Sequence, residues 1–254
     1  MEAGNRSFDN NVPEELNRKM VDHVATFNLP YNDYSMRNLL AEGIHPRFLH
    51  KTGSPIREIY EHYKEKIQAS TIVEDLGLTA KGYFLVSLHR QENVDLPHRL
   101  SLALEALEAV RDEFKLPIMV STHPRTRKRL ENLGAADLDW VHFHEPFGYL
   151  DYNKLQLEAK CVISDSGTIS EESAIMRFTA VSLRDSIERP EALETGTTVL
   201  TGLSRSDIGI AIKFASSSRP LVSPAGYEVA DFSDRVISFV LSTCNRQKAW
   251  KAIH

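Results

Sequence analysis

The chain has 254 residues, 42% hydrophobic and 26% charged, a balance that suits a globular protein with one large core or two modest ones. A formal charge of −5 leaves no overall basic footprint for nucleic acid or for an anionic membrane. The apolar runs fall far short of the ~20 residues that span a bilayer, and the polar opening "MEAGNRSFDNN" lacks the apolar centre of a secretory signal, so a cytoplasmic chain is expected. Cys161 and Cys244 lie far apart with no paired or His-rich spacing, which argues against a disulfide framework and a zinc site.

Before Gly82 the pattern predicts helices with little sheet. "VPEELNRKMVDHV" reads as a helix with Pro13 at its first position and Leu16, Met20, Val21 and Val24 on the buried face. "ATFNLPY" reads as a strand, and "DYSMRNLLAEG" as a helix capped by Asp33 and stopped at Gly43. "SPIREIYEHYKEKIQ" reads as a longer amphipathic helix. So few strands cannot form a complete α/β layer, and this part is expected to be the tail end of a domain.

From Gly82 onward, short apolar β-prone runs alternate with helical stretches: "YFLVSL", a helix through "LSLALEALEAVRDEF", then "IMVS", "WVHF", "CVIS", "AVSL" and "TVLT". That alternation is the signature of a doubly wound parallel sheet, in which ligands bind beyond the carboxyl ends of the strands. Polar residues follow five of those ends: His89 and Arg90, His123, Glu145 with Pro146, Ser166, and Arg184. The Leu and Ala stripe of "LSLALEALEAV" is core, and "RTRKRL" is a solvated helix face. "SSSRPLVSPAG", Ser216 to Gly226, reads as a loop leading to the last helix.

The stretch "CVISDSGTISEE" combines a buried strand, a turn through Gly167 and the acidic first turn of a helix. Free backbone N–H groups and the positive end of a helix dipole at a strand's carboxyl edge make a phosphate site. Ser166 can add a hydroxyl donor, and Glu172 can accept from a ribose diol. The same residues also suit an ordinary helix start, with Ser166 or Thr168 as N-cap and Glu171 or Glu172 complementing the dipole.

Taken in order, "EAGNRSFDNNVPEELNR", "KTGSP", "SLHRQENVD", "FGYLDYNKLQLEAKCVISDSGTISEES" and "RDSIERPEALETGT" resemble the non-hydrolysing UDP-N-acetylglucosamine 2-epimerase family over nearly the whole chain. The resemblance implies a GT-B-like α/β fold, two facing Rossmann-like domains with a UDP-sugar in the cleft. It places the first stretch well inside the first domain. The expected organisation is a remnant of that domain with a linker helix over 1–70, a UDP-binding domain over 71–228 and a C-terminal helix over 229–254. Asn5, Ser54 and Thr168 stand where the commoner pattern has Leu, Asn and Gly. That combination is similar to the branch that forms UDP-N-acetyl-L-fucosamine, a capsule or O-antigen precursor.

The reaction so implied inverts C2 of a UDP-linked 2-acetamido sugar by elimination and re-addition of UDP, with no cofactor and no metal. The resemblance assigns Glu2 and Glu14 to catalysis, with Arg18 orienting or charging the site and His89 matching the family's histidine of "HRRE", written "HRQE" here. Glu14 also suits a simple first-turn acid paired with Arg18 four residues on, and His89 a satisfied loop histidine. Tyr152 falls where the family sets an aromatic against the uracil, although a helix-start core residue fits as well. Ser166, Gly167 and Glu172 correspond to phosphate and ribose contacts. Arg184, Glu188 and Arg189 belong to "RDSIERPE", a stretch that closes the family's site and also reads as a helix started by Pro190. His123 matches a histidine that binds a second, regulatory UDP-sugar in some members. A homodimer in the full-length form is expected, with the present chain alone inactive. A glycosyltransferase would share the architecture without needing the "EAG" and "PEE" glutamates; a non-catalytic UDP-sugar-binding remnant is the other rival.

Overall fold

The computed structural model describes residues 1–10, 13–217, 222–246 and 249. In chain order its elements are α1 (Pro13–Val24), α2 (Asp33–Ala41), a 3-10 turn (Pro46–Phe48), α3 (Ile56–Gln68), α4 (Ile72–Asp75), β1 (Phe84–Ser87), α5 (Gln91–Val94), α6 (Pro97–Phe114), β2 (Ile118–Ser121), α7 (Pro124–Asn132), β3 (Val141–His144), α8 (Tyr149–Glu158), β4 (Cys161–Ser164), α9 (Ile169–Met176), β5 (Ala180–Ser182), α10 (Pro190–Glu194), β6 (Val199–Leu200), α11 (Asp207–Ala215) and α12 (Phe232–Thr243). Residues 218–221, inside the expected loop Ser216–Gly226, lie outside the described residues. Packing divides the chain into two units. One comprises Met1–His62, Ser186–Glu191 and Ser223–His254; the other comprises Tyr63–Asp185 and Ala192–Val222.

The second unit is built on a six-stranded parallel sheet in the order β3-β2-β1-β4-β5-β6. All six are strands expected from the apolar runs. Phe84, Val86, Ile118, Val120, Cys161, Ile163 and Val181 are buried against Ala103, Ala106, Leu107 and Val110 of α6 and Ile208 and Ile212 of α11. A parallel sheet covered on both faces needs continuous apolar runs, which is why β1, β2, β4 and β5 were visible without alternation. The chain steps outward from β1 to β3, then returns to lay β4 on the other side of β1. Strand order therefore reverses between β1 and β4, where doubly wound sheets open a crevice at their carboxyl ends. Register brings Ser87 level with Ser121 and Ser164, and Ser164 level with Ser182. Four serines thus line that carboxyl edge.

The first unit corrects three local expectations. "ATFNLPY" is not a strand: it makes one parallel bridge, Asn28 to Leu49, and Pro30 has no N–H with which to extend the pairing. The cap of α2 is Asn32, whose side chain accepts from the Ser35 N–H, and Asp33 is already the first helical residue. The expected inner face of α1 is outermost, with Leu16, Met20, Val21 and Val24 between 53% and 80% exposed. Glu15 and Asp22 are buried instead. The reason lies in the segment before the helix, which bonds to those carboxylates: Ser7 donates its N–H (2.8 Å) and hydroxyl (3.1 Å) to Glu15, and the Gly4 N–H reaches Asp22 at 2.9 Å.

Arg6 completes this arrangement with a fully buried side chain. Its guanidinium meets Glu42 through two bonds of 2.8 and 2.7 Å and Asp22 at 2.9 Å. Gly4, at φ +81, passes so close to α2 that a Cβ would lie 2.2 Å from the Ser35 carbonyl oxygen, so only glycine fits there. At the other end of the chain α12 joins the same unit: Phe239 packs edge-on against Phe27 (5.2 Å) and is stacked by His50 (4.6 Å). Among the described residues no helix is long and apolar enough to cross a membrane.

Candidate functional site

In the second unit the polar residues at the strand ends converge on Asp165, which is fully buried immediately after β4. Its carboxylate accepts the backbone N–H groups of His89 (3.1 Å) and Arg90 (3.0 Å) and the side-chain amide of Asn93 (3.2 Å). His89 Nδ1 lies 3.2 Å from the same carboxylate, and the ring is half exposed. Arg90 bonds the Asp165 carbonyl through Nε at 3.1 Å. The loops after β1 and β4 are thereby tied into one rigid corner at the switch point. Asn93 is held in turn by Arg99, which also pairs with Asp185 at 2.6 Å.

Ser166 opens the turn into α9. Its N–H donates to Ser164 Oγ (3.0 Å), and its own hydroxyl bonds Thr168 Oγ1 (2.9 Å) and accepts the Thr168 N–H (3.3 Å). Thr168 is the N-cap, with no side-chain bond of its own to the helix end. Glu171 is buried in the first turn, and Glu172, partly exposed, accepts from Gln156 Nε2 at 2.7 Å. Tyr152 lies on α8. Burial pushes its phenol above the ordinary value, and the negative charges of Glu172 and Asp165 add to the shift. Tyr152 and Glu172 therefore share one neighbourhood. Arg184 is buried at the exit of β5.

His123 stands apart from that cluster. It caps α7, where its Nδ1 accepts the Arg125 N–H at 3.2 Å, and it is exposed. A pocket beside it is lined by Thr122, Lys128, Glu131, His144, Glu145 and Pro146.

The first unit gathers the remaining predicted residues. Glu2 accepts through Oε1 from Arg189 (3.2 Å) and from Asn5 (3.1 Å). Arg18 pairs with the buried Glu188 at 3.5 Å. Glu14 is exposed in the first turn of α1, while its neighbour Glu15 is buried against Ser7 and Lys19. Burial alone would raise the Glu15 carboxyl, but the bonds from Ser7 and Lys19 outweigh it and hold it below its usual value. The segment Ser186–Glu191 thus brings Glu188 and Arg189 to the "PEE" helix and the "EAG" turn respectively. A third residue of that stretch, Glu191, is buried and accepts from Asn32 (2.7 Å) and Tyr227 (2.6 Å).

Sequence reasoning missed Asp165, Ser87, Gln156 and Glu191. The first was hidden inside a motif read for its serine and glycine. The level serines Ser87 and Ser164 were available as the last residues of their apolar runs.

A family model described as UDP-N-acetylglucosamine 2-epimerase matches residues 1–240. A UDP-N-acetylglucosamine 2-epimerase of Methanocaldococcus jannaschii is 34% identical over 215 residues, 80% of this chain and 57% of that protein. Among solved structures, the UDP-N-acetylglucosamine 2-epimerase of Rickettsia bellii superimposes with a TM-score of 0.90 at 38% identity, covering 98% of this chain and 68% of that one. A Methanocaldococcus jannaschii UDP-GlcNAc 2-epimerase, solved in complex with UDP-GlcNAc and UDP, gives 0.88 at 29% identity over 95% of this chain and 68% of that one. This chain spans little more than half the length of the Methanocaldococcus protein matched by sequence. With the family's model matched over residues 1–240 and a solved member superimposing over 98% of this chain at a TM-score of 0.90, the chain belongs to the UDP-N-acetylglucosamine 2-epimerase family.

Proposed function

We propose that these residues serve an isomerase that inverts C2 of a UDP-linked 2-acetamido sugar. The observation that carries this reading is the family match over residues 1–240. The complex of a relative with UDP-GlcNAc and UDP supports the ligand class.

The C2 proton is not acidic, so direct abstraction is slow. Breaking the C1–O bond to UDP while a base removes the C2 proton leaves a 2-acetamidoglycal and UDP; re-addition of UDP with protonation of the opposite face gives the epimer. Ser166 and the N–H groups of the turn before α9 suit the departing diphosphate. Glu172 suits the ribose diol. Tyr152 offers an aromatic ring to the uracil. Half-exposed His89, braced by Asp165, supplies a donor toward the leaving group. Arg184 and Arg189 add positive charge, and Glu2 and Glu14, with Arg18, are assigned the proton transfers.

For the sugar we favour the reading in which Asn5, Ser54 and Thr168 mark the branch forming UDP-N-acetyl-L-fucosamine for capsule or O-antigen synthesis. Interconversion of UDP-N-acetylglucosamine and UDP-N-acetylmannosamine is the second reading, favoured by the names of the relatives. The test offers the protein, at its natural length and in D₂O, UDP-2-acetamido-2,6-dideoxy-L-talose and UDP-N-acetylglucosamine separately, followed by proton NMR. Deuterium at C2 together with the epimer is expected, at least tenfold faster with the talose sugar. A preference for UDP-N-acetylglucosamine would select the second reading, and no C2 exchange with either would remove epimerisation.

A further inference from the structure

Glu2 adopts φ +60, in the left-handed region that side chains other than glycine rarely occupy, and its carboxylate is 41% exposed. Such a conformation persists where neighbouring contacts enforce it. Two donors hold its side chain, and both end on the same oxygen: Arg189 Nη2 and Asn5 Nδ2 reach Oε1. Neither reaches Oε2.

Asn5 is itself only 2% exposed. Its Oδ1 lies 2.6 Å from the hydroxyl of Ser35, which is also buried and sits in the first turn of α2 with its N–H bonded to Asn32. The orientation of the amide follows from chemistry. An ionised carboxylate only accepts, so the Asn5 atom facing Glu2 is the NH₂ group, and the carbonyl faces the Ser35 hydroxyl, which donates. The result is a relay of position: the first turn of α2 fixes Ser35, Ser35 fixes Asn5, and Asn5 fixes Glu2.

We infer that Asn5 is a positioning residue for Glu2, which saturates Oε1 jointly with Arg189 and leaves Oε2 as the oxygen that exchanges a proton with the substrate. This rests on the reading of Glu2 as an acid–base group. A leucine at position 5 would fill the space without a donor and leave Oε1 to Arg189 alone. The contribution of Asn5 would then appear in the chemical step and leave substrate binding unchanged.

The experiment compares Asn5→Leu, Ser35→Ala and Glu2→Gln in the protein at its natural length, with steady-state kinetics and a melting curve for each. The expected result is a fall in kcat of tenfold or more for Asn5→Leu with KM within twofold, a smaller fall of the same kind for Ser35→Ala, and a hundredfold or greater fall for Glu2→Gln. Loss of activity in Glu2→Gln with kcat intact in Asn5→Leu would overturn the role of Asn5 and leave that of Glu2 standing. Full activity in Glu2→Gln would overturn both. A rise in KM at unchanged kcat in Asn5→Leu would make Asn5 a substrate contact and overturn positioning. Should Asn5→Leu fail to fold, Asn5→Asp retains the size and the Ser35 bond but turns the donor into an acceptor; unchanged kcat in that variant overturns the inference.

Discussion

Replacing Arg6 by methionine is expected to cost about 3–5 kcal/mol of stability, enough to unfold the first unit in most backgrounds. The guanidinium is fully buried and bonded to two carboxylates, Glu42 and Asp22, and to the carbonyl of Asn5. Methionine matches much of its length but leaves Asp22 buried beside no cation, which is the costly half of breaking such a network. The acid side of the stability curve gives an independent check. Bonds from Arg6 hold the Glu42 carboxyl below its usual value, against the opposing effect of burial. A depressed carboxylate contributes stability that is present above its unfolded pKa, near 4.5, and is lost as pH falls through the lower folded value. Thermal melts of the Arg6→Met protein should therefore show a lower midpoint at neutral pH and a shallower loss on acidification. An unchanged midpoint would mean that the network contributes nothing.

The second large effect belongs to Glu14. Adjacent Glu14 and Glu15 share a chemistry but not an environment: Glu15 is buried and engaged by Ser7 and Lys19, whereas Glu14 is exposed at the start of α1. Of the two, only Glu14 is exposed, and it is the one proposed to transfer a proton. Glu14→Gln is expected to lower turnover by about 10²–10⁴ while leaving UDP affinity nearly unchanged. Glu15→Gln should instead lower the melting temperature, because its oxygens anchor Ser7. The reverse pattern, a stability loss at Glu14 and a turnover loss at Glu15, would show that the roles had been exchanged.

These two residues also show what the sequence carries and what it conceals. The inner strands β1, β2, β4 and β5 were legible because a sheet covered on both faces makes their runs almost wholly apolar up to a terminal serine. Helix α1 was legible as a helix but not in its orientation. Apolar periodicity points Leu16, Met20, Val21 and Val24 inward, and nothing local reveals that Gly4, Arg6 and Ser7 bond to Glu15 and Asp22 on the opposite face. Pairings across long separations were concealed for the same reason. Glu191 reads as an acid in the first turn of α10, yet its partners are Asn32 and Tyr227. Asp165 reads as the lead-in to a phosphate turn, yet it binds the loop after β1. Asn5 stood out only as a departure from the family's usual Leu; its bonds to Ser35 and Glu2 appear only once α2 is folded beside it.

The corner formed by the loops after β1 and β4 is the proposed UDP site. Calorimetric titration of UDP into this 254-residue chain, beside its Ser166→Ala variant, tests it without requiring turnover. Among the described residues the Ser166 hydroxyl bonds only Thr168, so it is available to a phosphate oxygen at the cost of that 2.9 Å contact. Losing a charge-assisted bond of that kind costs about 1–3 kcal/mol, a weakening of roughly five- to 150-fold. The account predicts saturable binding of one UDP and a loss of that size in the variant. Absence of binding, or equal affinity in the two proteins, would contradict it.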